Sequence, residues 1–262
     1  MRELTFGFSP CPNDTFAFHA LSHGLLDTPL RIRPVLLDIE ELNVRALTGE
    51  FDLTKVSIGA LAGVGSRYRM LRSGAALGHG VGPLVVTRTP MSLSDAVRGT
   101  VAIPGTETTA YRLLRLAAPA IGTPVEMRYD RILAAVEHGD VDAGLIIHES
   151  RFTYGDHGLT CAADLGAFWE AETGLPVPLA AICARADLDD DATAEAERAI
   201  RLSVQYAFDH PEASRTYVRA HSQELSDAVC DAHIALYVNA HSLDIGDDGE
   251  RAIRRLVGAS VA

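Results

Sequence analysis

The sequence predicts an α/β protein with two lobes, each a mostly parallel sheet flanked by helices. Three observations lead to this fold class. Short apolar segments typical of strands alternate with segments of helical periodicity, as they do in folds with parallel sheets. The segments after about residue 191 are helical only, so this tail needs a sheet against which to pack. The 262 residues are enough for one large domain or two modest lobes.

The first predicted elements flank a segment with two prolines. Residues 4–8 form an apolar stretch that predicts a strand. Residues 9–14 read Ser-Pro-Cys-Pro-Asn-Asp and predict a loop, because each proline lacks a backbone donor and has a fixed φ. A helix is predicted from Thr15 onward, with Asn13 or Asp14 as its N-cap.

The rest of the first lobe alternates in the same way. In order, we predict a strand at residues 31–37, a helix at 40–47, a strand at 53–56 and a strand within 80–87. The chain then crosses to the second lobe near residue 88 and returns near residue 183. This gives a larger lobe of residues 1–87 and 184–262 and a smaller lobe of residues 88–183, with the functional site in the cleft between them.

The smaller lobe and the tail complete the prediction. In the smaller lobe we predict strands at residues 101–103, 125–129 and 143–147, and helices at 111–118 and 131–137. Residues 179–184 form the last apolar strand. The tail is predicted to form helices at residues 192–208, 211–220, 226–238 and 249–257. Because the tail has no strand of its own, we expect it to pack on the larger lobe.

Composition and charge exclude several classes of function. Hydrophobic residues make up 47% of the chain and charged residues 22%, which are ordinary values for a globular protein. The net charge of −12 repels phosphate backbones, and no basic patch offsets it, so nucleic acid is not an expected partner. No apolar run approaches the roughly 18 residues of a membrane span. Pro10 and Pro12 interrupt the apolar core that a signal peptide needs, so we expect a cytoplasmic protein without membrane insertion.

The cysteines and histidines show no metal motif. The four cysteines (Cys11, Cys161, Cys183 and Cys230) lie far apart and form no CxxC pair. The single His-x-x-x-His pair near the N-terminus lacks the glutamate of a zinc protease. Cys11, between its two prolines, is a weak candidate nucleophile because the sequence shows no base beside it. We therefore predict no metal site.

Polar or small residues follow four of the predicted strands, at residues 9–14, 55–57, 106–110 and 148–151. In open α/β sheets, ligands bind outside the carboxyl ends of the strands. In the third segment, Thr108, Thr109 and Ala110 lie where a strand gives way to a helix. The free N–H groups and the dipole at such a helix start suit a carboxylate or a phosphate. A simple threonine N-cap is the alternative interpretation.

Lys55 and Ser57 put an ammonium and a hydroxyl at another strand end. In a protein of net charge −12, an anion site needs local positive charge, which Lys55 would supply; a solvated surface lysine is the alternative. His148 follows the apolar run 144–147. With an ordinary pKa near 6.5, a histidine can act as a general base at neutral pH. A hydrogen-bonded structural histidine is the alternative there.

Several of these segments together resemble the 1,4-dihydroxy-6-naphthoate synthase family of the futalosine route to menaquinone. The likeness covers essentially the whole chain. Its most specific parts are residues 8–16, which contain the Ser-Pro-Cys-Pro-Asn-Asp segment, and residues 143–154, which contain Ile-His-Glu-Ser-Arg. The other matching segments are residues 53–57, 72–74, 78–86, 108–111, 129–133 and 237–244.

The resemblance implies a fold like that of the type-II periplasmic binding proteins, used here for catalysis. It implies conversion of cyclic dehypoxanthinyl futalosine to 1,4-dihydroxy-6-naphthoate with release of a three-carbon fragment, which is a carbon–carbon lyase reaction without a cofactor. The family's base maps onto His148. Its substrate-contacting residues map onto Lys55-Val56-Ser57 and onto Thr109-Ala110. The implied ligand is a small anion, whose carboxylate would be held by residues 108–110 or by Lys55.

Three other functions stay open at this point. Chorismate dehydratase belongs to the same pathway and shares the fold, although the two most specific segments favour the synthase. A non-catalytic protein that binds small anions for a transporter is a second alternative, against which the lack of a signal peptide argues. The effector-binding half of a transcription regulator is a third.

Overall fold

Eleven strands form two separate sheets in the computed structural model, which describes residues 2–222 and 226–258. The strands are β1 (Arg2–Phe8), β2 (Leu30–Leu36), β3 (Leu53–Ser57), β4 (Tyr68–Met70), β5 (Ala76–Gly78), β6 (Leu84–Thr87), β7 (Thr100–Ile103), β8 (Thr123–Glu126), β9 (Ala143–Ile146), β10 (Thr160–Asp164) and β11 (Val177–Arg185). The first sheet has the order β2-β1-β3-β11-β4, with β5 also paired to β11. The second sheet has the order β10-β6-β9-β7-β8.

Helices cover both sheets. They are α1 (Pro12–Ala17), α2 (His19–Ser22), α3 (Ile39–Ala46), α4 (Leu61–Val64), α5 (Leu93–Ala96), α6 (Thr109–Ala117), α7 (Ile132–His138), α8 (Ser150–Thr153), α9 (Leu165–Thr173), α10 (Asp190–Asp209), α11 (Arg215–His221), α12 (Asp227–Tyr237), α13 (Ala240–Leu243) and α14 (Gly246–Gly258). No helix of the described ranges is both long enough and apolar enough to cross a membrane.

Each sheet combines a parallel part with antiparallel strands. In the first sheet β1 runs parallel to β2 and β3, whereas β11 is antiparallel to β3, β4 and β5. In the second sheet β7 runs parallel to β8 and β9, whereas β6 is antiparallel to β9 and β10. The two strands that pair antiparallel with their neighbours are β6 and β11. Each is the first strand after the chain passes from one sheet to the other.

The pairing of β6 and β11 shows that the lobe boundaries lie earlier in the chain than the sequence predicts. Residues 84–87 were assigned to the larger lobe, but β6 pairs only within the second sheet. Residues 177–183 were assigned to the smaller lobe, but β11 pairs within the first sheet. Gly80 and Gly82 have positive φ values of 69° and 131° and turn the chain just before β6. The chain therefore crosses within residues 79–83 and returns within 174–176, earlier than the predicted positions of 88 and 183.

The second proline of the Ser-Pro-Cys-Pro-Asn-Asp segment starts a helix, where the sequence predicts a loop. Pro12 is the first residue of α1, and Cys11 is its N-cap. Proline is tolerated there because the first N–H groups of a helix have no partner within the helix. Asn13 and Asp14, which we had predicted as N-caps, therefore lie in the first turn of α1. Their side chains are left to bond to other parts of the molecule.

The helical tail packs as predicted, and it also joins the lobes. Val204 of α10 lies in one apolar cluster with the rings of Phe6, Phe8 and Phe18, whose centroids are 5.0–5.4 Å apart. Leu256 of α14 lies in a second cluster that contains buried residues from both sheets. The tail thus packs on the first sheet and also contacts buried residues of the second.

Candidate active site

A cavity lies between the two sheets. It is bordered by the segments that follow the carboxyl ends of β1, β3, β7 and β9, which are the four strand ends singled out in the sequence. Six of the seven candidate site residues line it, namely Lys55, Ser57, Thr108, Thr109, Ala110 and His148. Val56 does not. Side chains alternate along a strand, and Val56 packs on the opposite face of β3 in an apolar cluster with Val64 and Cys183.

Ser57 is held as a hydrogen-bond donor toward the cavity. Its backbone N–H donates to Oδ1 of Asn43 over 2.8 Å, and its hydroxyl accepts from Nδ2 of Asn43 over 3.0 Å. Because the amide already donates to the hydroxyl oxygen, the hydroxyl hydrogen remains available for a ligand. Asn43 is fully buried on α3. No local pattern connects it with Ser57, which lies 14 residues further along the chain.

Lys55 is buried and paired, which differs from the solvated or unpaired cation that the sequence suggested. Its ammonium bonds to Oδ1 of Asp14, and the two side chains are only 4% and 3% exposed. The other carboxylate oxygen of Asp14 accepts from the backbone N–H of Ser9 over 3.1 Å. The ion pair has no net charge, so Lys55 attracts an anion less strongly than an unpaired lysine would. The ammonium hydrogens that do not bond to Asp14 can donate hydrogen bonds to a ligand.

The hydroxyls of Thr108 and Thr109 already have protein partners. Thr108 caps α6: its Oγ1 accepts from the N–H of Tyr111 over 3.2 Å. Oγ1 of Thr109 donates to the carbonyl of Leu179 over 2.6 Å and accepts from the N–H of Gly59 over 3.0 Å. The donors left for a ligand are backbone N–H groups at the start of α6, which have no acceptor within the helix.

His148 adopts an unusual backbone conformation. Its φ is +57°, a left-handed value that no other non-glycine residue has in the described ranges. Such a conformation costs on the order of 1–3 kcal/mol and occurs mainly where the surrounding structure enforces it, often at functional sites. The edge of its ring contacts Tyr129, with centroids 4.7 Å apart. Its Nδ1 lies 3.2 Å from Sγ of Cys11.

The imidazole of His148 is neutral over the physiological pH range. Burial, followed by the nearby charge of Lys55, lowers its pKa to about 3. This is well below the ordinary value of about 6.5 assumed from the sequence. Its Nε2 is buried and has no hydrogen-bond partner among the residues that the structure describes. The ring can therefore accept a proton or a hydrogen bond, provided that Cys11 holds the ring proton on Nδ1.

Cys11 does have a histidine beside it in space, although none was visible in the sequence, since Nδ1 of His148 is its neighbour. Burial raises the pKa of its thiol well above the ordinary value, and the charges of Glu149 and Asp14 raise it further. A thiol that stays protonated is a poor nucleophile. Cys11, His148 and Glu149 also place one potential metal-ligand atom each within 4.8 Å of one another.

His233, on α12, is the main site residue that sequence reasoning missed. It lines the cavity and is 1% exposed. Its ring stacks near that of His148, with centroids 6.4 Å apart, and its Nε2 lies 3.0 Å from Oδ1 of Asn13. A sequence signal exists: Cys230, His233 and Tyr237 form one helix face at a spacing of three and four residues. A histidine on such a buried face needs a polar partner.

The comparisons with known proteins extend over nearly the whole chain. A family model described as menaquinone biosynthesis matches residues 4–261. The chain is 56% identical over 262 residues to a 1,4-dihydroxy-6-naphthoate synthase of Thermus thermophilus, covering 100% of this chain and 95% of the relative. It is 47% identical over 266 residues to a protein of the same name from Streptomyces coelicolor, covering 99% and 93%.

Solved structures show the same architecture. A protein of Archaeoglobus fulgidus has a TM-score of 0.92 and 37% identity to this chain, covering 97% of this chain and 95% of its own. A Candida albicans protein described as having the generic periplasmic binding protein fold has a TM-score of 0.70 and 13% identity, covering 98% and 89%. At that identity the likeness bears on the fold alone. It confirms the predicted fold class.

Proposed function

The chain belongs to the menaquinone biosynthesis family, and we propose that within this family it acts as a 1,4-dihydroxy-6-naphthoate synthase. The reaction would convert cyclic dehypoxanthinyl futalosine to 1,4-dihydroxy-6-naphthoate and release a three-carbon fragment. Two relatives of that name, which match the chain along its length, support the proposal. The structural observation that carries it is the buried, unpartnered Nε2 of His148 at the cavity between the sheets.

The carboxylate of the substrate would bind at the end of the cavity that is rich in donors. The hydroxyl of Ser57 is directed there by Asn43. The N–H groups of Thr109 and Ala110 add the positive end of a helix dipole. The remaining ammonium hydrogens of Lys55 would complete this anion subsite. Donors held in place before binding need little reorganisation when the substrate arrives.

His148 would act as the general base. Its Nε2 would take the proton of a substrate hydroxyl, and the electrons of that O–H bond would form a carbonyl while the adjacent carbon–carbon bond breaks. The electron pair of the broken bond would pass into the ring-side fragment as an enolate, which then takes up a proton. Formation of an aromatic ring would help to drive the step. The negative charge that develops on the substrate oxygen during this step would raise the pKa of the ring above its value of about 3, because an adjacent negative charge favours the imidazolium form.

Contacts across the cleft would exclude water during this step. The carboxylate of Glu40 accepts from the N–H of Glu107 over 2.9 Å, and Thr109 bonds to Gly59 and Leu179 of the larger lobe. These bonds join the first sheet to the start of α6. A cleft closed in this way strengthens each polar interaction inside it. As part of the proposal we retain the cytoplasm as the expected location of this biosynthetic enzyme.

Incubation of the purified chain with cyclic dehypoxanthinyl futalosine, followed by mass spectrometry, tests the proposal. We expect 1,4-dihydroxy-6-naphthoate and the three-carbon fragment in equal amounts. A parallel incubation with chorismate tests the dehydratase alternative. Tight binding of the cyclic compound without turnover would instead favour a carrier or sensor. The His148→Asn variant is the matched control, because it keeps a side chain of similar size without a base.

A further inference from the structure

We propose that His233 is a second ligand-binding imidazole, whose Nδ1 accepts a hydrogen bond from a substrate hydroxyl. Asn13 is the positioning residue that fixes which ring nitrogen carries the proton. The identity of the ligand rests on the proposed function, whereas the protonation of the ring follows from the protein alone. The inference starts from a chain of hydrogen bonds that runs from Lys55 through Asp14 and Asn13 to His233.

The first link orients the amide of Asn13. Its Nδ2 lies 2.8 Å from Oδ1 of Asp14. Lys55 bonds to the same carboxylate oxygen, so that oxygen can only accept. The amide must therefore turn its nitrogen toward Asp14 and its oxygen away from it. This orientation is set by the ion pair and does not depend on telling nitrogen from oxygen by shape.

The second link fixes the proton on His233. Oδ1 of Asn13 carries no hydrogen, and it lies 3.0 Å from Nε2 of the ring, so Nε2 must be the donor. Burial, with a further contribution from the charge of Lys55, lowers the pKa of His233 well below its ordinary value, so the ring is neutral. A neutral imidazole carries one proton. Nδ1 is consequently a lone-pair acceptor.

This acceptor is unused in the protein without ligand. Nδ1 is buried and has no hydrogen-bond partner among residues 2–222 and 226–258. A buried acceptor without a partner is unfavourable, and a ligand hydroxyl on the cavity side would satisfy it. A carboxylate or carbonyl oxygen there would be repelled by the lone pair. His233 therefore selects a neutral donor, whereas Ser57 and the start of α6 select an anion.

The two kinds of polar group that line the cavity thus predict the class of ligand. It carries an anionic group for the donors of Ser57 and of the start of α6. It carries at least one hydroxyl for the imidazole of His233. A simple carboxylate without hydroxyls would satisfy only the first requirement. The loop and first turn that contain Cys11 and Asn13 serve both imidazoles, since one residue contacts His148 and the other His233.

Nuclear magnetic resonance of the full chain with ¹⁵N-labelled histidine tests the ring assignment. Long-range ¹H–¹⁵N spectra at neutral pH distinguish a protonated from an unprotonated ring nitrogen, and the signal lost in His233→Gln identifies the residue. We expect a protonated Nε2 and an unprotonated Nδ1. In Asn13→Ala, we expect a mixture of the two tautomers. A proton on Nδ1, a charged ring, or an unchanged tautomer in Asn13→Ala would overturn the assignment.

Addition of 1,4-dihydroxy-6-naphthoate, the product, tests the ligand contact in the same sample. We expect the Nδ1 resonance to move toward the frequency of a hydrogen-bonded nitrogen. A saturated protein whose Nδ1 resonance stays in place would overturn the contact. If the product does not bind and the cyclic substrate is not turned over, the proposed function is refuted, and the contact with it. The tautomer result is independent of that outcome.

Kinetics with matched variants provide a second test. His233→Gln keeps a donor toward Asn13 but has no acceptor at the position of Nδ1. We expect kcat/KM to fall about tenfold, as for loss of one hydrogen bond. His210→Gln, at an exposed position, should have wild-type kinetics. Wild-type kcat/KM in a folded His233→Gln protein would overturn the contact, and if that variant does not fold, the product titration of the wild-type protein decides.

Discussion

His148 combines a left-handed backbone with a ring nitrogen, Nε2, that has no hydrogen-bond partner in the part of the chain that the structure describes. Both features determine the expected effect of a substitution. We expect His148→Asn to lower kcat by about 10²–10⁴-fold, the usual effect of losing a positioned base. We expect its stability to stay close to that of the wild type, because asparagine adopts left-handed φ values more readily than most residues. A kcat within about threefold of wild type would exclude His148 as the base. Loss of folding would favour a structural role.

Ser57 offers its hydroxyl hydrogen to the cavity because Asn43 already donates to its oxygen. We expect Ser57→Ala to raise KM by an amount that corresponds to about 1.5–3 kcal/mol, the range for a hydrogen bond to a charged group. The kcat should change less, because the bond is present both before and during the reaction. Steady-state kinetics decide this, and an unchanged KM would remove Ser57 from the anion subsite.

The Lys55–Asp14 ion pair predicts a different result for Lys55. Lys55→Ala would leave the carboxylate of Asp14 buried without its charged partner, which costs about 3–5 kcal/mol. We therefore expect a loss of stability in urea unfolding as well as weaker substrate binding. The double variant Lys55→Ala/Asp14→Asn should recover most of the stability, because it removes the uncompensated charge. Unchanged stability in the single variant would contradict this account.

At the scale of elements, the start of α6 depends on Thr109, whose hydroxyl bonds to the larger lobe through Gly59 and Leu179. Thr109→Val has nearly the same shape but loses both bonds. We expect a loss of about 1–3 kcal/mol in stability and a higher KM, because the N–H donors of α6 are no longer held in place. Thr109→Ser keeps the hydroxyl and should behave like the wild type. Equal effects of the two variants would refute the prediction.

The strands near the site were the elements that the sequence predicted most easily. The buried strands β7 and β9 are short apolar runs bounded by polar or turn residues, which local pattern recognises. β4 and β5 were missed because each has three residues and becomes a strand only by pairing with β11. The strand from residue 125 was predicted to reach Tyr129, but β8 ends at Glu126 and Tyr129 begins a short 3₁₀ turn.

The same limit applies within the site. The rule that ligands bind at strand ends located Ser57, Thr109 and His148 because each follows an apolar run. The partners that give these residues their chemistry lie far away in sequence. Asp14 is 41 residues from Lys55, and Asn13 is 220 residues from His233. No local pattern encodes such pairs, since they form only when the two sheets and the tail have packed.

At the scale of the whole molecule, the two neutral histidines that line the cavity couple stability to pH. The pKa of His148 is about 3 in the folded protein and about 6.5 in the unfolded chain. As the pH falls below 6.5, His148 becomes protonated in the unfolded chain but stays neutral in the folded protein. The free energy of unfolding therefore approaches a decrease of about 1.4 kcal/mol per pH unit until the folded pKa is reached. The pKa of His233 is lowered too, which makes the decrease steeper.

Urea unfolding at pH 6.5 and pH 5.0 measures this coupling. Between these values His148 alone should account for a loss of about 1.7 kcal/mol, because the unfolded histidine is already half protonated at pH 6.5. The His148→Asn variant should lose that much less than the wild type, whatever the carboxyl groups contribute to both proteins. Identical pH dependence in the two proteins would mean that His148 titrates normally and is not buried as a neutral ring.

The position of β11 has a consequence for the order in which the chain can fold during synthesis. β11 lies between β3 and β4 in the first sheet, yet it follows them by more than a hundred residues. The first sheet therefore stays split, with the edges of β3 and β4 unpaired, until residue 185 has left the ribosome. The second sheet uses only strands between residues 84 and 164 and can form first. The lobe that begins the chain is thus the last to be completed, and its open strand edges are where a nascent chain would most need a chaperone.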